Sequence, residues 1–496
     1  MAEAPTHPRS ETAQSPWPAL FALCLGFFMI LVDTTIVSVA TPAIIDDFDA
    51  PVNTVVWVTS AYLLAYAVPV LITGRLGDRF GPRRLYVLGL VLFTAASLWC
   101  GLTTSIDGLI LARVFQGLGA SLMTPQTMAI ITRIFPSAHR GRAMSLWGAT
   151  AGVATLIGPV LGGVLVDSLG WEWIFFVNVP IGLVALVLAM RLVPRLETHH
   201  HRFDWLGVAL SGAGMLLLVF GVQEGHQYDW SVIIGPITVW RLIVVGLVVL
   251  VGFVWWQSRN PHEPLMPLGL FADRNFSIAN LGIATVGFAF TAMGFPLMLW
   301  AQVVRGYSPT QAGLLLVPMA VVSLVLASWV GKLSDRVHPR ILTVLGFGFL
   351  IAGLLLLSWW MAPDTALWQL VLALAAVGVG SSFLWAPLST TANRNLSLRL
   401  AGAGAGVYNA NRQVGSVLGS AAIAVLIDSR LAANGLGATQ GEPAAVAKLP
   451  AAVATSFSDA MAQSLLLVPM VLALGLVAVV LFERPRHFAP LTKAGR

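Results

Sequence analysis

Asp33, Arg113 and Arg412 are the only Asp, Glu, Lys or Arg residues that fall deep inside long apolar stretches of this chain. At the centre of a bilayer such a group costs at least about 2–3 kcal/mol, so it must face a protein interior or a water-filled cavity. A carboxyl group in that setting can hold or release a proton as its surroundings change. Burial favours the neutral acid, and a nearby cation favours the carboxylate. Asp33 and Arg113 therefore form a candidate proton-coupling pair, in which protonation and ligand binding compete for one charge balance. The structural alternative is an Asp that only neutralises Arg113.

The elements that must position these residues follow from hydropathy. The chain has 496 residues, 57% hydrophobic and 10% charged, with a mean hydropathy of +0.82. That composition excludes an ordinary soluble protein and predicts an all-α integral membrane protein. Apolar segments at 18–45, 54–74, 85–103, 107–135, 142–166, 173–193, 205–223, 235–256, 276–304, 311–332, 341–361, 366–392, 402–428 and 461–482 are numbered spans 1 to 14. Each is near the roughly 20 residues a crossing needs. The first is too long for a signal-peptide core and leads straight into further spans, so it is expected to remain.

An even number of spans puts both termini on one side. With the termini cytoplasmic, 22 of the 28 Lys and Arg lie on the cytoplasmic side, which explains the net charge of +6 without nucleic acid. Losing one span would scramble every later loop. Cys24 and Cys100 lie inside spans, so no disulfide framework is expected. His199, His200 and His201 are adjacent and cannot converge on one ion from a rigid element. They read as a solvated linker, and no metal site is expected. The external loop 429–460 is read as a cover or a small hairpin.

An internal repeat organises the spans. Gly74-Arg-Leu-Gly-Asp78-Arg79 recurs as Gly331-Lys-Leu-Ser-Asp335-Arg336, offset by 257 residues, and Gly117-Leu-Gly119-Ala-Ser121 as Gly378-Val-Gly380-Ser-Ser382, offset by 261. Two six-helix bundles of like orientation, at 18–193 and 276–482, account for this. Between them a linker at 194–275 carries two inserted spans, and residues 1–17 and 483–496 are cytoplasmic tails. Parallel repeats of this kind rock about a central site. Leu374 matches Arg113 and Phe290 lies near the match of Asp33, so the charge pair exists in one copy only. A scaffold that manages without it in the other copy points to a role in function.

Between spans 2 and 3, the segment GRLGDRFGPRR from Gly74 to Arg84 contains Asp78, Arg79, Gly81, Arg83 and Arg84. Its glycines allow a tight turn. Asp78 can accept backbone donors at a helix start, and the arginines can bridge to the opposite bundle or to lipid phosphate. With Asp335 and Arg336 these residues are candidates for a cytoplasmic latch; a purely topogenic role for the arginines is the alternative. In span 5, Gly158, Pro159, Gly162 and Gly163 give a small-residue face with a bend, suited to sealing and parting a pathway.

Polar faces on span 4 (Gln116, Thr124) and span 13 (Tyr408, Asn411, Arg412) are candidates for cavity lining, with interhelical hydrogen bonding as the competing role. Trp57, Tyr62, Trp147, Phe288, Trp300 and Trp385 are candidates for an aromatic pocket, although packing or interface anchoring is the commoner role for any one of them.

These motifs resemble those of the major facilitator superfamily, in its fourteen-helix drug:proton antiporter branch, over nearly the whole chain. GRLGDRFGPRR resembles the signature of loop 2–3. Leu109 to Ser121 (LILARVFQGLGAS) resembles the span 4 motif whose arginine is tied to proton transfer, and GPVLGG at 158–163 the antiporter motif of span 5. Val32 to Val37 (VDTTIV) and Trp171 to Pro180 (WEWIFFVNVP) resemble sequences of that branch, with Ser38 where Asn and Glu172 where Arg are usual.

The resemblance implies the major facilitator fold and a proton-driven exporter of amphipathic small molecules in the bacterial cytoplasmic membrane. It would be a monomer among membrane lipids, powered by the proton gradient and without a cofactor. Export or flipping of a lipid or lipid conjugate is the alternative. A passive channel is disfavoured by the latch, and an enzyme by the lack of an HExxH, GxSxG or His/Asp constellation. Relatives that expel dicationic drugs carry further membrane acids. A single deep carboxylate here implies few protons per cycle and cargo that is neutral, zwitterionic or anionic.

Overall fold

Within a bilayer the backbone has no partner but itself, which leaves long apolar segments one open solution, the α-helix. The computed structural model describes residues 15–483, except 51, 137–138, 197, 199–203, 226–227, 261–263, 335, 397–399, 435 and 437–449. Asp335, the three adjacent histidines and residues 435 and 437–449 of the loop at 429–460 lie outside the described residues.

Spans 1 to 6 are Trp17–Phe48, the pair Val52–Ala67 and Val70–Phe80, Pro82–Leu102, Ile106–Ile134, Arg140–Leu169, and the pair Trp173–Phe176 and Asn178–Leu192. Spans 7 and 8 are Trp205–Gln223 and Val239–Arg259. Spans 9 to 14 are Arg274–Val303, Pro309–Leu314 with Val317–Ser334, Pro339–Trp359, Leu367–Arg394, Ala401–Ala433, and Ala451–Leu465 with Leu467–Val480. Among the described residues twelve helices are long and apolar enough to cross a membrane, and the bent pair of span 2 makes thirteen. Span 5, a 30-residue helix whose separate apolar run is Val160–Leu169, takes the remaining place. The expected fourteen is compatible with this arrangement.

Hydropathy gives no sign of the breaks inside four spans, and proline accounts for them. Span 2 bends by 46° beside Pro69, and the second pieces of spans 6, 10 and 14 carry Pro180, Pro318 and Pro469 in their first turns. A proline supplies no backbone N–H, so it is tolerated in a first turn and disruptive further in. Side-chain caps fix other starts: Asp204, Thr238 and Asp273 accept from the backbone N–H three residues on, and Ser308 with Gln311 forms a capping box. Between spans 7 and 8 lies a two-stranded hairpin, β1 (Val232–Ile234) and β2 (Ile237–Thr238), turned at Gly235 with φ +52°.

The repeat is visible as matched backbone contacts. A Cβ on Gly117 would stand 2.4 Å from the Tyr62 carbonyl oxygen, and one on Gly378 2.5 Å from that of Met319. Gly119 packs in the same way on Gly89 and Phe93, and Gly380 on Gly346 and Leu350. Each partner lies 257 residues from its counterpart, so the small residues of spans 4 and 12 do one job twice: they let two helices close to backbone contact.

The two bundles meet along two seams, span 2 with span 13 and span 5 with span 10. Span 7 packs on the first seam, where Leu64, Ala67, Met215, Val219, Val417 and Ala421 form one apolar cluster. Span 8 packs on span 7 and is mostly exposed, as a lipid-facing helix should be.

Candidate functional site

Span 4 carries Arg113 and Gln116 on one face, and spans 1, 2, 3 and 6 close around them. The Arg113 Nη1 stands 2.6 Å from the Asp33 Oδ2, with both side chains fully buried. On the other carboxylate oxygen, Gln116 Nε2 donates at 2.8 Å and Asn178 Nδ2, from span 6, at 3.0 Å. Gln116 is held in turn by Arg113 Nη1 at 2.6 Å and by Ser97 Oγ of span 3 at 2.8 Å. Arg113 Nε donates to the Val58 carbonyl at 2.9 Å, while its Nη2 has no hydrogen-bond partner among the described residues. The Tyr62 ring covers the guanidinium at 4.1 Å, a cation–π contact in a dry site. Every hydrogen-bond partner of Asp33 among the described residues is a donor, so a proton arriving on Oδ1, which already accepts two, must displace one of them.

A cavity of about 320 Å³ lies between the bundles, one residue along span 1 from this cluster. Thr34 and Thr35 line it beside Phe27 and Leu31; Tyr66 enters from span 2, Phe290 and Thr291 from span 9, Trp385 from span 12, and Arg412 and Ser416 from span 13. Its volume is that of a pocket for a drug-sized ligand. Arg412 is 8% exposed and donates through Nη2 to the Tyr66 hydroxyl at 3.2 Å, and that hydroxyl meets Thr124 Oγ1 at 3.0 Å. Tyr66 and Tyr62 are successive rings on span 2, their centroids 6.1 Å apart. A continuous line thus runs from Asp33 through Arg113, Tyr62 and Tyr66 to Arg412 in the opposite bundle.

Among the eleven cavity candidates from the sequence, Trp385 and Arg412 line this cavity and the others stand elsewhere. Gln116, Tyr62 and Thr124 belong to the polar layer just described. Trp147 stacks on Phe27 at 4.7 Å, one shell behind the wall. Trp57 packs on Phe220 of span 7, Phe288 against Gly419, and Trp300 donates to Ser458 of span 14. Tyr408 is fully buried, and Asn411 donates to Asn280 of span 9.

At the loop 2–3 end, the Asp78 carboxylate caps span 13: it accepts from the backbone N–H of Gly402 at 3.2 Å and of Ala403 at 3.1 Å, and Arg133 pairs with it at 2.6 Å. A carboxylate at a helix N-terminus gains from the orphan donors and the helix dipole together. Gly74 lies so close to span 13 that a Cβ would stand 2.7 Å from the Gly402 carbonyl oxygen and 2.9 Å from the Gly406 Cα. On the other seam Gly331 meets Ser145 and Arg142 of span 5, so this end is shut along both seams. Gly81 makes the turn at φ +95°.

The arginines of this loop have local surroundings among the described contacts. Arg83 donates to the Met190 carbonyl in its own bundle, Arg84 is exposed, and Arg79 lies near the Phe80 ring. Asp78 makes a link across the bundles, to Gly402 and Ala403. In the second copy Arg394, which matches Arg133, donates to the Ser334 carbonyl at 3.2 Å; Arg336 is exposed. In span 5, Gly158 meets Thr35 of span 1 and Gly163 meets Thr310 of span 10, while Gly162 is buried on the same helix, which runs unbroken through Pro159.

Sequence reasoning did not find Asn178, Ser97 or the Ala401–Gly406 partner of Asp78. The last had a signal, the alternating Ala and Gly that leave a helix start bare. It also passed over Glu224, which is 1% exposed at the end of span 7. Burial pushes its carboxyl above the usual range, against a hydrogen bond with the Ser60 side chain of span 2.

Residues 23–420 match the sequence profile of the Major Facilitator Superfamily. The chain is 52% identical to an uncharacterized MFS-type transporter, Rv1250, of Mycobacterium tuberculosis, over 95% of this chain and 81% of that one. It is 33% identical to the tetracenomycin C resistance and export protein of Streptomyces glaucescens, over 86% of this chain and 78% of that one. Among solved structures it resembles the proton:xylose symporter XylE, with a TM-score of 0.63 at 14% identity, over 93% of this chain and 94% of that one.

Proposed function

Because this chain belongs to the major facilitator superfamily, and is a transporter rather than an enzyme, we propose that it exports amphipathic small molecules in exchange for protons. The observation that carries this is the buried Asp33–Arg113 pair, joined to a cavity shared by both bundles and present in one bundle only. Export by antibiotic-resistance relatives such as the Streptomyces glaucescens protein supports the direction.

In this scheme the loop 2–3 end is cytoplasmic, both termini are cytoplasmic, and the membrane is the bacterial cytoplasmic one. The chain acts as a monomer driven by the proton gradient. A proton from outside reaches Asp33 and displaces Arg113, Gln116 or Asn178. That loosens spans 1, 4 and 6 and shifts Tyr62 and Tyr66 on span 2. Span 2 carries Asp78, so the change is transmitted to the closed cytoplasmic end. Cargo entering the cavity from inside makes contact with Tyr66, the ring next to Tyr62, and favours release of the proton. A ligand shifts such an equilibrium only by its difference in affinity for the two states, and shared residues supply that difference.

The test is transport of phenylnaphthylamine, a neutral amphipathic dye, in proteoliposomes under an imposed pH gradient. The unaltered protein should move the dye against its concentration gradient. Asp33→Asn should fall to the level of empty vesicles while still binding dye; undiminished gradient-driven flux would remove Asp33 from the mechanism.

A further inference from the structure

We infer that Arg412 is the anchor for an anionic group on the cargo, so that the cavity selects amphiphiles with an apolar ring body and one carboxylate, sulfonate or phenolate. This rests on the exporter reading of the same cavity and narrows it to a substrate class.

The argument begins with charge. Arg412 is nine-tenths buried on span 13 and lines the cavity. Its one hydrogen bond to a side chain among the described residues goes to a neutral phenol, that of Tyr66, and its Nε has no partner. Among the described residues that line the cavity, none is Asp or Glu. A guanidinium cannot shed its proton, so a buried one without a carboxylate is left incompletely compensated. Arg113, the other guanidinium at this depth, shows the contrast, since Asp33 pairs with it at 2.6 Å. What Arg113 receives from its own bundle, Arg412 must receive from something that enters the cavity.

The surroundings define the rest of that ligand. Phe27, Leu31, Phe290 and Trp385 give an apolar, aromatic lining interspersed with hydroxyls such as Thr34 and Ser416. A guanidinium fork takes a carboxylate or sulfonate through two parallel hydrogen bonds, which fixes orientation as well as charge. A cavity of about 320 Å³ is of the size that takes a fused aromatic acid. An occupant bonded to Arg412 also competes with the Tyr66 hydroxyl, which places its anion on the line of contacts leading to Asp33.

Two dyes with the same ring pair separate charge from shape: anilinonaphthalenesulfonate and phenylnaphthylamine, which lacks the sulfonate. Binding is measured on the full chain in phosphatidylcholine nanodiscs, with empty discs subtracted. The unaltered protein should prefer the sulfonate. Arg412→Gln should weaken sulfonate binding roughly ten- to hundredfold, the worth of a charge-assisted contact. The same substitution should leave phenylnaphthylamine within about threefold, which also shows that the cavity is intact. Arg412→Lys, which keeps the charge and loses the fork, should fall between.

Equal binding of the two dyes to the unaltered protein, or equal weakening of both by Arg412→Gln, overturns the anchor. If phosphatidylglycerol in the discs abolishes sulfonate binding, the site belongs to a lipid headgroup and the small-acid assignment fails. A chain that binds and exports phenylnaphthylamine but ignores the sulfonate loses the anchor and keeps the exporter reading. One that neither binds nor moves either dye loses both.

Discussion

Spans 4 and 12 are two copies of one helix, and they differ where it matters. Both use paired glycines to reach backbone contact with the same two neighbours in their own bundles. Span 4 then buries Arg113 and Gln116 in a polar cluster, whereas span 12 places fully buried Leu374 and Val377 at the matching positions. Because the apolar copy packs equally closely, the charges of span 4 are not what holds such a helix in place. They are an addition to a scaffold that stands without them.

That conclusion is open to a direct break. Asp33→Leu alone leaves a buried guanidinium uncompensated and should lower stability by about 3–5 kcal/mol. Adding Arg113→Leu copies the second bundle's chemistry and should recover much of that loss, although gradient-driven flux stays absent in both variants. Thermal unfolding in nanodiscs reads the first quantity and vesicle transport the second. If the double variant is as unstable as the single one, the cluster is structural and the contrast between the copies loses its meaning.

The seams extend the comparison at a smaller scale. Asp78→Asn removes the charge from the N-terminus of span 13 and should cost the closed state about 1.5–3 kcal/mol. Dyes at Phe80 and Arg340, on opposite bundles, should report a larger population with the loop 2–3 end parted. Gly74→Ala should act in the same direction by prising the two backbones apart. An unchanged distance distribution in both would mean that the end is held shut by other contacts.

The smallest effect contrasts the two ends of span 7. Burial alone would raise the Asp204 carboxyl, but hydrogen bonds from Trp256, Gly207, Gln257 and Leu265 outweigh it and hold the group below its usual range. The stability it contributes is therefore present above the ordinary carboxylate pKa and lost as pH falls through its own lower one. Glu224 is raised by burial, so its contribution is present below the ordinary value and lost as pH rises through the raised one. Asp204→Ala should cost about 1 kcal/mol, as for a lost helix cap, and flatten the acid limb of unfolding midpoint against pH. Glu224→Gln should flatten the opposite limb. An unaltered profile in both variants would show that other groups set it.

How far the sequence could be read depended on the physics behind each feature. Span positions were legible because a bilayer demands long apolar runs, and the two repeats were legible because they need glycine at fixed places. Asp33 and Arg113 stood out because charge is rare at such depth. The aromatic candidates were not separable: a Trp that lines a cavity, such as Trp385, and one that packs behind it, such as Trp147, have the same helical periodicity. Asp78 was recognised as an acceptor, but its partner lies over 320 residues away and offers only backbone N–H groups, which every residue type but proline has. Glu224 was missed because it follows a span instead of interrupting one.

Span 7 rests against only one of the two seams, and this makes the molecule lopsided. It is wedged against span 2 of one bundle and span 13 of the other, like a gasket laid along a single edge of a door. Any motion of one bundle against the other would oblige span 7 to slide over at least one of those helices, a constraint that the seam of spans 5 and 10 does not share.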